Sequence, residues 1–145
     1  MIALHREIPV LSLPDTAGRS VSTWDYKQER PLVLIFAADD PTTLGAFAAR
    51  HEDYRAANAM LLGIVSGGSP QRFDMPFPVL VDRDGAATTR YTGGKPEVLV
   101  TDAFGVLEGR FDARRPEHDR ILALLSALEM RCPECGVAEW PADDA

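Results

Sequence analysis

Cys132-Pro133-Glu134-Cys135-Gly136 is the most chemically loaded stretch of this 145-residue sequence, and it holds the chain's two cysteines. Two thiols at this spacing can cycle between dithiol and disulfide. They can also aim two thiolates at one metal, with Gly136 permitting the turn that directs backbone amides at sulfur. A structural zinc wants four ligands. His118 stands fourteen residues before Cys132, roughly 21 Å along a continuous helix, so it cannot complete such a site within one chain. A second chain can, by offering its own pair across a twofold axis. Local electrostatics pull both ways: a helix ending near Arg131 disfavours a thiolate, whereas Arg131 itself favours one, and Pro133 can open a fresh turn with Cys132 at its N-cap. A third reading leaves both thiols reduced and idle beside a loosely held tail. On the residues alone, redox pair, zinc pair and idle pair all stay open.

Fifteen Lys and Arg against 22 Asp and Glu give a formal net charge of −7, so no basic field exists to condense onto nucleic acid or an anionic membrane surface. No apolar run approaches the roughly 20 residues needed to cross a bilayer, and the first fourteen residues lack the pattern of a secretory leader. The expected compartment is the cytoplasm, where two cysteines stay reduced unless they are used. The composition, 46% hydrophobic and 26% charged, is that of one soluble domain. That domain is expected over residues 1–131, with the Cys-Pro-Glu-Cys motif and a tail over 132–145.

The elements that must position any site follow from periodicity. Leu32-Val33-Leu34-Ile35-Phe36-Ala37 is continuously apolar and closes at Asp39-Asp40-Pro41, which predicts a strand buried on both faces. Asp40 can cap, and Pro41 can open, a helix reaching to Ala59, with Leu44, Phe47, Ala48 and His51 along one face. Met60 to Val65 is a second buried strand, completing a parallel crossover unit of right-handed sense. Phe77 to Val81 reads as a short strand ended by Asp82-Arg83-Asp84-Gly85, and Ala86 to Tyr91 as a short helix. Glu97 to Thr101 and Val106 to Phe111 flank Asp102-Ala103-Phe104-Gly105 as an antiparallel hairpin. Pro116 to Met130 carries Ile121, Leu124, Leu125 and Leu128 at helical spacing. An N-terminal edge hairpin is expected from Ile8 to Leu13 and Val21 to Trp24, turning at Asp15-Thr16-Ala17-Gly18. Gly67-Gly68-Ser69-Pro70 and Gly93-Gly94 lack the spacing of phosphate-binding loops.

Three segments carry a likeness to a known family: Leu13-Pro14-Asp15-Thr16-Ala17-Gly18 with Val21, Phe77-Pro78-Val79-Leu80-Val81-Asp82-Arg83-Asp84-Gly85, and Pro96 opening Pro-Glu-Val-Leu-Val-Thr-Asp. With the order of elements, they make residues 8–130 resemble the thioredoxin superfamily, and within it the redoxin branch of peroxiredoxins, the alkyl hydroperoxide reductase and thiol-specific antioxidant family. The resemblance implies an α/β thioredoxin-like fold, a central mixed sheet flanked by helices with an N-terminal β-hairpin. It also implies a cis Lys95-Pro96 bond facing the active site.

In that fold the nucleophile stands where the first central strand yields to its helix, because the amides and dipole at a helix N-terminus stabilise a thiolate. Here that place reads Ala37-Ala38-Asp39-Asp40-Pro41-Thr42-Thr43-Leu44. Pro41 and Leu44 fall where a thioredoxin-type motif has its cysteines, and no cysteine follows Pro41, Thr42 and Thr43 as it would in a peroxiredoxin. Asp39 and Asp40 read as caps, and the threonines lack a base to activate them. His51 reads as a packed side chain, and His5 and His118 have no evident partners. The resemblance thus leaves Pro41, Thr42, Thr43 and Pro96 as a vestigial pocket able to bind a peptide or small anion.

Two functions follow. As an enzyme, the protein is a thiol-disulfide oxidoreductase or antioxidant working through Cys132 and Cys135 on a protein thiol or disulfide, with no cofactor. As a binding module, it is catalytically silent, and the same pair binds zinc or stabilises a homodimer.

Overall fold

The computed structural model describes residues 1–26, 28–67 and 74–130. Five strands form one sheet in the order β5-β4-β3-β6-β7. The apolar run becomes β3 (Leu32–Ala38) at the centre, parallel to β4 (Met60–Ser66) and antiparallel to β6 (Glu97–Thr101). β5 (Val79–Asp82) lies parallel to β4 on one side, and β7 (Leu107–Asp112) antiparallel to β6 on the other. A separate antiparallel hairpin joins β1 (Ser12–Pro14) to β2 (Ser20–Ser22). Its end bridges Asp15 to Leu80, and Glu7 bridges Val106, so residues of the N-terminal segment pair with both outer strands or their ends, where unpaired backbone would otherwise lie open.

Period two explains why β3 is apolar throughout. Val33, Ile35 and Ala37 pack into a core with Leu44 and Phe47 of α1 (Pro41–Ala49), Tyr54 of α2 (His51–Ala56), and Ile121, Leu125 and Leu128 of α4 (His118–Glu129). Leu32, Leu34 and Phe36 point the opposite way, into a second core with Ile8, Leu11 and Tyr91 of α3 (Ala86–Thr92). Each face of a central strand is buried against a different layer.

Two glycines set how closely those layers approach. A Cβ on Gly63 of β4 would lie 2.8 Å from Leu44 Cδ2, and one on Gly109 of β7 would lie 2.6 Å from Leu124 Cδ2. Leu124 of α4 therefore sits directly over the middle of β7. α4 begins at His118, shortly after β7 ends at Asp112.

Several boundaries depart from expectation. The helix expected as one piece from Pro41 to Ala59 is two, α1 and α2, separated at Arg50 (φ −107°, ψ 12°). There the Arg50 N–H turns to the Phe47 carbonyl at 3.1 Å, a tightened i→i−3 bond. α2 also stops at Ala56 because Asn58 adopts a left-handed conformation, φ 59°, which asparagine tolerates at helix ends. The N-terminal strands are shorter than expected, and Thr23–Tyr26 forms a 3₁₀ turn where a strand was expected to continue. There the Thr23 N–H still donates to the Leu11 carbonyl at 2.9 Å, while its hydroxyl accepts from the Leu11 N–H at 3.0 Å and closes the corner. β5 begins after Pro78, which lacks a donor for the ladder. The glycine turns match expectation, with Gly85 at φ 73° opening α3 and Gly105 at φ 83° in the β6–β7 hairpin.

Candidate functional site at the end of the central strand

The β3–α1 junction is built by a strand that ends irregularly. The β3–β4 register slips between Phe36 and Ala38, and Ala38 takes φ 55°, a left-handed value that a non-glycine residue adopts at an energetic cost. This turn swings Asp39 and Asp40 out to solvent. Asp40 then caps α1, with Pro41 opening the helix. Its Oδ1 accepts from the Thr42 N–H at 2.9 Å and from the Thr42 hydroxyl at 2.6 Å. The hydroxyl bond, then the amide bond, hold the Asp40 carboxyl below its ordinary value, with Arg114 adding attraction across the gap. The carboxylate therefore stays ionised and engaged as a cap.

A cleft of about 360 Å³ opens at this junction. Ala37 through Pro41 form one wall with Thr43, and Pro96 and Arg114 form the other. Of the expected pocket residues, Pro41, Thr43 and Pro96 meet here, while the Thr42 hydroxyl is turned to Asp40. Arg114 is an addition: the Arg114-Arg115 pair after β7 is its only mark in the sequence. Pro96 and Arg114 also line a neighbouring cleft of about 410 Å³, which extends along Lys95, Glu97 and Arg110 to Phe111 and Asp112. Within it Arg110 and Glu97 are ion-paired at 3.3 Å.

Neither wall carries a thiol, since no cysteine lies among the described residues, and the Asp40 carboxylate is engaged by Thr42. Cys132 and Cys135 lie outside the described residues, as do Gly68-Ser69-Pro70 and the tail from Val137 to Ala145. Among the described residues no group of three or more His, Cys, Asp or Glu could hold a metal, and no helix is long and apolar enough to cross a membrane.

The histidines are better connected than their sequence positions indicate. His51 lies with its ring centroid 6.2 Å from that of Phe77. His5 and His118, expected to lack partners, both have one. His5 Nδ1 is 3.4 Å from Glu108 Oε2. His118 Nδ1 is 2.7 Å from the Tyr54 hydroxyl, and its ring meets Phe47 edge-on at 4.7 Å. These pairs join residues far apart in the chain, which no local pattern could reveal.

The model of the AhpC/TSA family matches residues 4–110. No protein of curated function matches the sequence. Solved structures resemble the chain across nearly its whole length. Peroxidoxin BcpB of Mycobacterium tuberculosis is 19% identical, with a TM-score of 0.73 over 91% of this chain and 100% of that one. A yeast mitochondrial 1-Cys peroxiredoxin is 17% identical, with a TM-score of 0.75 over 100% of this chain and 84% of that one. A Plasmodium vivax 2-Cys peroxiredoxin is 13% identical, with a TM-score of 0.71 over 87% and 81%. At such identities the likeness establishes the fold alone, and that fold is the expected thioredoxin-like one.

Proposed function

The chain belongs to the AhpC/TSA family, and from that premise we propose that it is a redoxin whose thiol-disulfide exchange runs through Cys132 and Cys135 instead of the β3–α1 junction. One observation carries this reading: the helix start where a family nucleophile would stand holds Pro41 and a carboxylate already bonded to Thr42. One further point supports it: the chain's only two cysteines form one closely spaced pair.

In the exchange, one thiolate of the pair attacks a sulfur of the partner's disulfide and displaces the other partner sulfur as a thiolate. The second cysteine then attacks the mixed disulfide. A Cys132–Cys135 disulfide forms, the partner leaves as a dithiol, and two electrons have moved to it. The partner is a protein thiol or disulfide, met in the reducing cytoplasm. Pro96, with a cis Lys95-Pro96 bond, and the residues Pro41 to Thr43 remain as a pocket without redox chemistry.

The sulfur-free junction also favours a second reading, in which the domain is catalytically silent and the pair binds zinc or stabilises a twofold dimer. One preparation separates the two. Protein purified aerobically without chelator is assayed for zinc per chain, free thiols, and reduction of a protein disulfide, alongside Cys132→Ser and Cys135→Ser. A metal-free disulfide that a dithiol reduces, with exchange lost in both variants, is the expected result. Stoichiometric zinc, or exchange that survives in Cys132→Ser, rejects the redox reading.

A further inference from the structure

We propose that the contact between Tyr54 and His118 is a proton-operated latch: it holds the start of α4, and with it the Arg114 rim of the junction cleft, against the break between α1 and α2, and acidification releases it. The proposal is independent of the thiol chemistry proposed for Cys132 and Cys135.

The geometry is a cluster where three elements meet. His118 is the first residue of α4, and its Nδ1 lies 2.7 Å from the hydroxyl of the fully buried Tyr54 in α2. Phe47 at the end of α1 packs against both rings, at 4.7 Å from His118 and 5.6 Å from Tyr54. Burial raises the Tyr54 pKa far above its ordinary value, so the hydroxyl keeps its proton and donates, and a neutral Nδ1 accepts. That bond is the Tyr54 hydroxyl's contact among the described residues. If Nδ1 gains a proton, the bond must reverse, and the tyrosine proton loses the acceptor it has in this structure.

Charge adds to this. Arg50, at the helix break, acts on the imidazole together with Asp53 of α2 and Asp119 of α4. Both carboxylates are already bonded to Arg50, at 2.7 and 3.4 Å, and their side chains are 55% and 96% exposed, so they do little to offset a second cation in water. That cation would also sit in the first turn of α4, where the helix dipole disfavours it. Burial, followed by Arg50, accordingly lowers the His118 pKa from 6.5. The sign follows: neutral His118 fits the closed state and charged His118 the open one. Closure is fully held above 6.5 and lost as pH falls through the lowered value. Arg114 lies four residues before His118 on the same connection and lines both clefts, so release of the α4 start moves the cationic rim of the site.

Hydrogen exchange of residues 113–122, corrected for the intrinsic pH dependence of amide exchange, tests this at pH about 7.5 and about 5, on either side of the ordinary histidine value. Wild-type opening of this segment, relative to the β3 amides, is expected to rise roughly fivefold at the lower pH, the loss of one net hydrogen bond. In the apolar pair Tyr54→Phe/His118→Phe the pH response should vanish. An equal response in the pair, or none in the wild type, overturns the latch. Should the pair fail to fold, NMR titration of the wild type decides. An Arg114 amide shift that follows the His118 midpoint supports the latch, and one that is flat across that midpoint rejects it.

Discussion

Asp40 takes two hydrogen bonds from a single residue, Thr42, whose N–H lies at 2.9 Å and whose hydroxyl lies at 2.6 Å from the same oxygen. A carboxylate used this way anchors a helix and is not free for proton transfer. Asp40→Ala should lower the melting temperature by about 2–4 °C at neutral pH and leave disulfide exchange unchanged. The folded-state pKa is depressed from 3.8, so this stabilisation is fully present above that value and is lost as pH falls through the lowered one. Melting curves of wild type and variant should therefore converge in acid; a gap that persists below the carboxyl's titration would show that the cap acts without its charge.

A cysteine introduced at the helix start measures the field that the junction now offers. With Cys132 and Cys135 replaced by serine, Pro41→Cys places one thiol at the first position of α1. There the helix N-terminus and Arg114 favour the thiolate, while Asp39 and Asp40 oppose it. Adding Asp40→Asn keeps a capping side chain but removes a charge. The thiol should then titrate about 0.5 pH unit lower, the size of one Coulomb contact screened by water, as read from thiolate absorbance. An unchanged titration would show that the carboxylate does not govern the site.

Gly109 lets α4 lie on β7. Gly109→Ala would bring a Cβ to 2.6 Å from Leu124 Cδ2 and 2.9 Å from Phe111 Cε2, and should destabilise the fold by about 1–3 kcal/mol through overpacking. Because the conflict is with Leu124, Gly109→Ala and Leu124→Ala should be non-additive by at least about 0.5 kcal/mol in chemical denaturation. Strict additivity would place the strain elsewhere.

Asp82 is 1% exposed and accepts from the Ala87 N–H at 3.3 Å and from the Thr88 N–H and hydroxyl, both at 2.8 Å. Asp82→Ala strands those donors and should cost about 1–3 kcal/mol, with α3 amides losing exchange protection before those of β3. Equal loss across both elements would mean that α3 is not held by this residue.

What could be read from the sequence was whatever one element settles by itself. Leu32 to Ala37 is apolar at every position because its odd and even residues face two different cores, and the strand was legible for that reason. Ile121, Leu124, Leu125 and Leu128 likewise identified the inner face of α4. The missing sulfur at Pro41 and Leu44 was legible once the resemblance said where to look. What escaped notice depends on meetings across the chain or on single dihedral angles. Arg114 reaches the cleft only because β7 ends beside Pro96. Tyr54 and His118 are separated by 64 residues. The stop at Asn58 and the break at Arg50 are each set by one residue's backbone, inside a pattern whose apolar spacing continues uninterrupted.

The mixed sheet has a further consequence during synthesis. On one side β3 pairs with β4, which follows it by one crossover, with Leu32 opposite Met60. On the other it needs β6, with Leu32 opposite Thr101, 69 residues later. Until that stretch has left the ribosome, a nascent chain holds Leu-Val-Leu-Ile-Phe-Ala with one edge unpaired and both faces greasy, which is the composition most prone to stick to its neighbours. The strand that makes the finished molecule cohesive is thus its greatest hazard while half made.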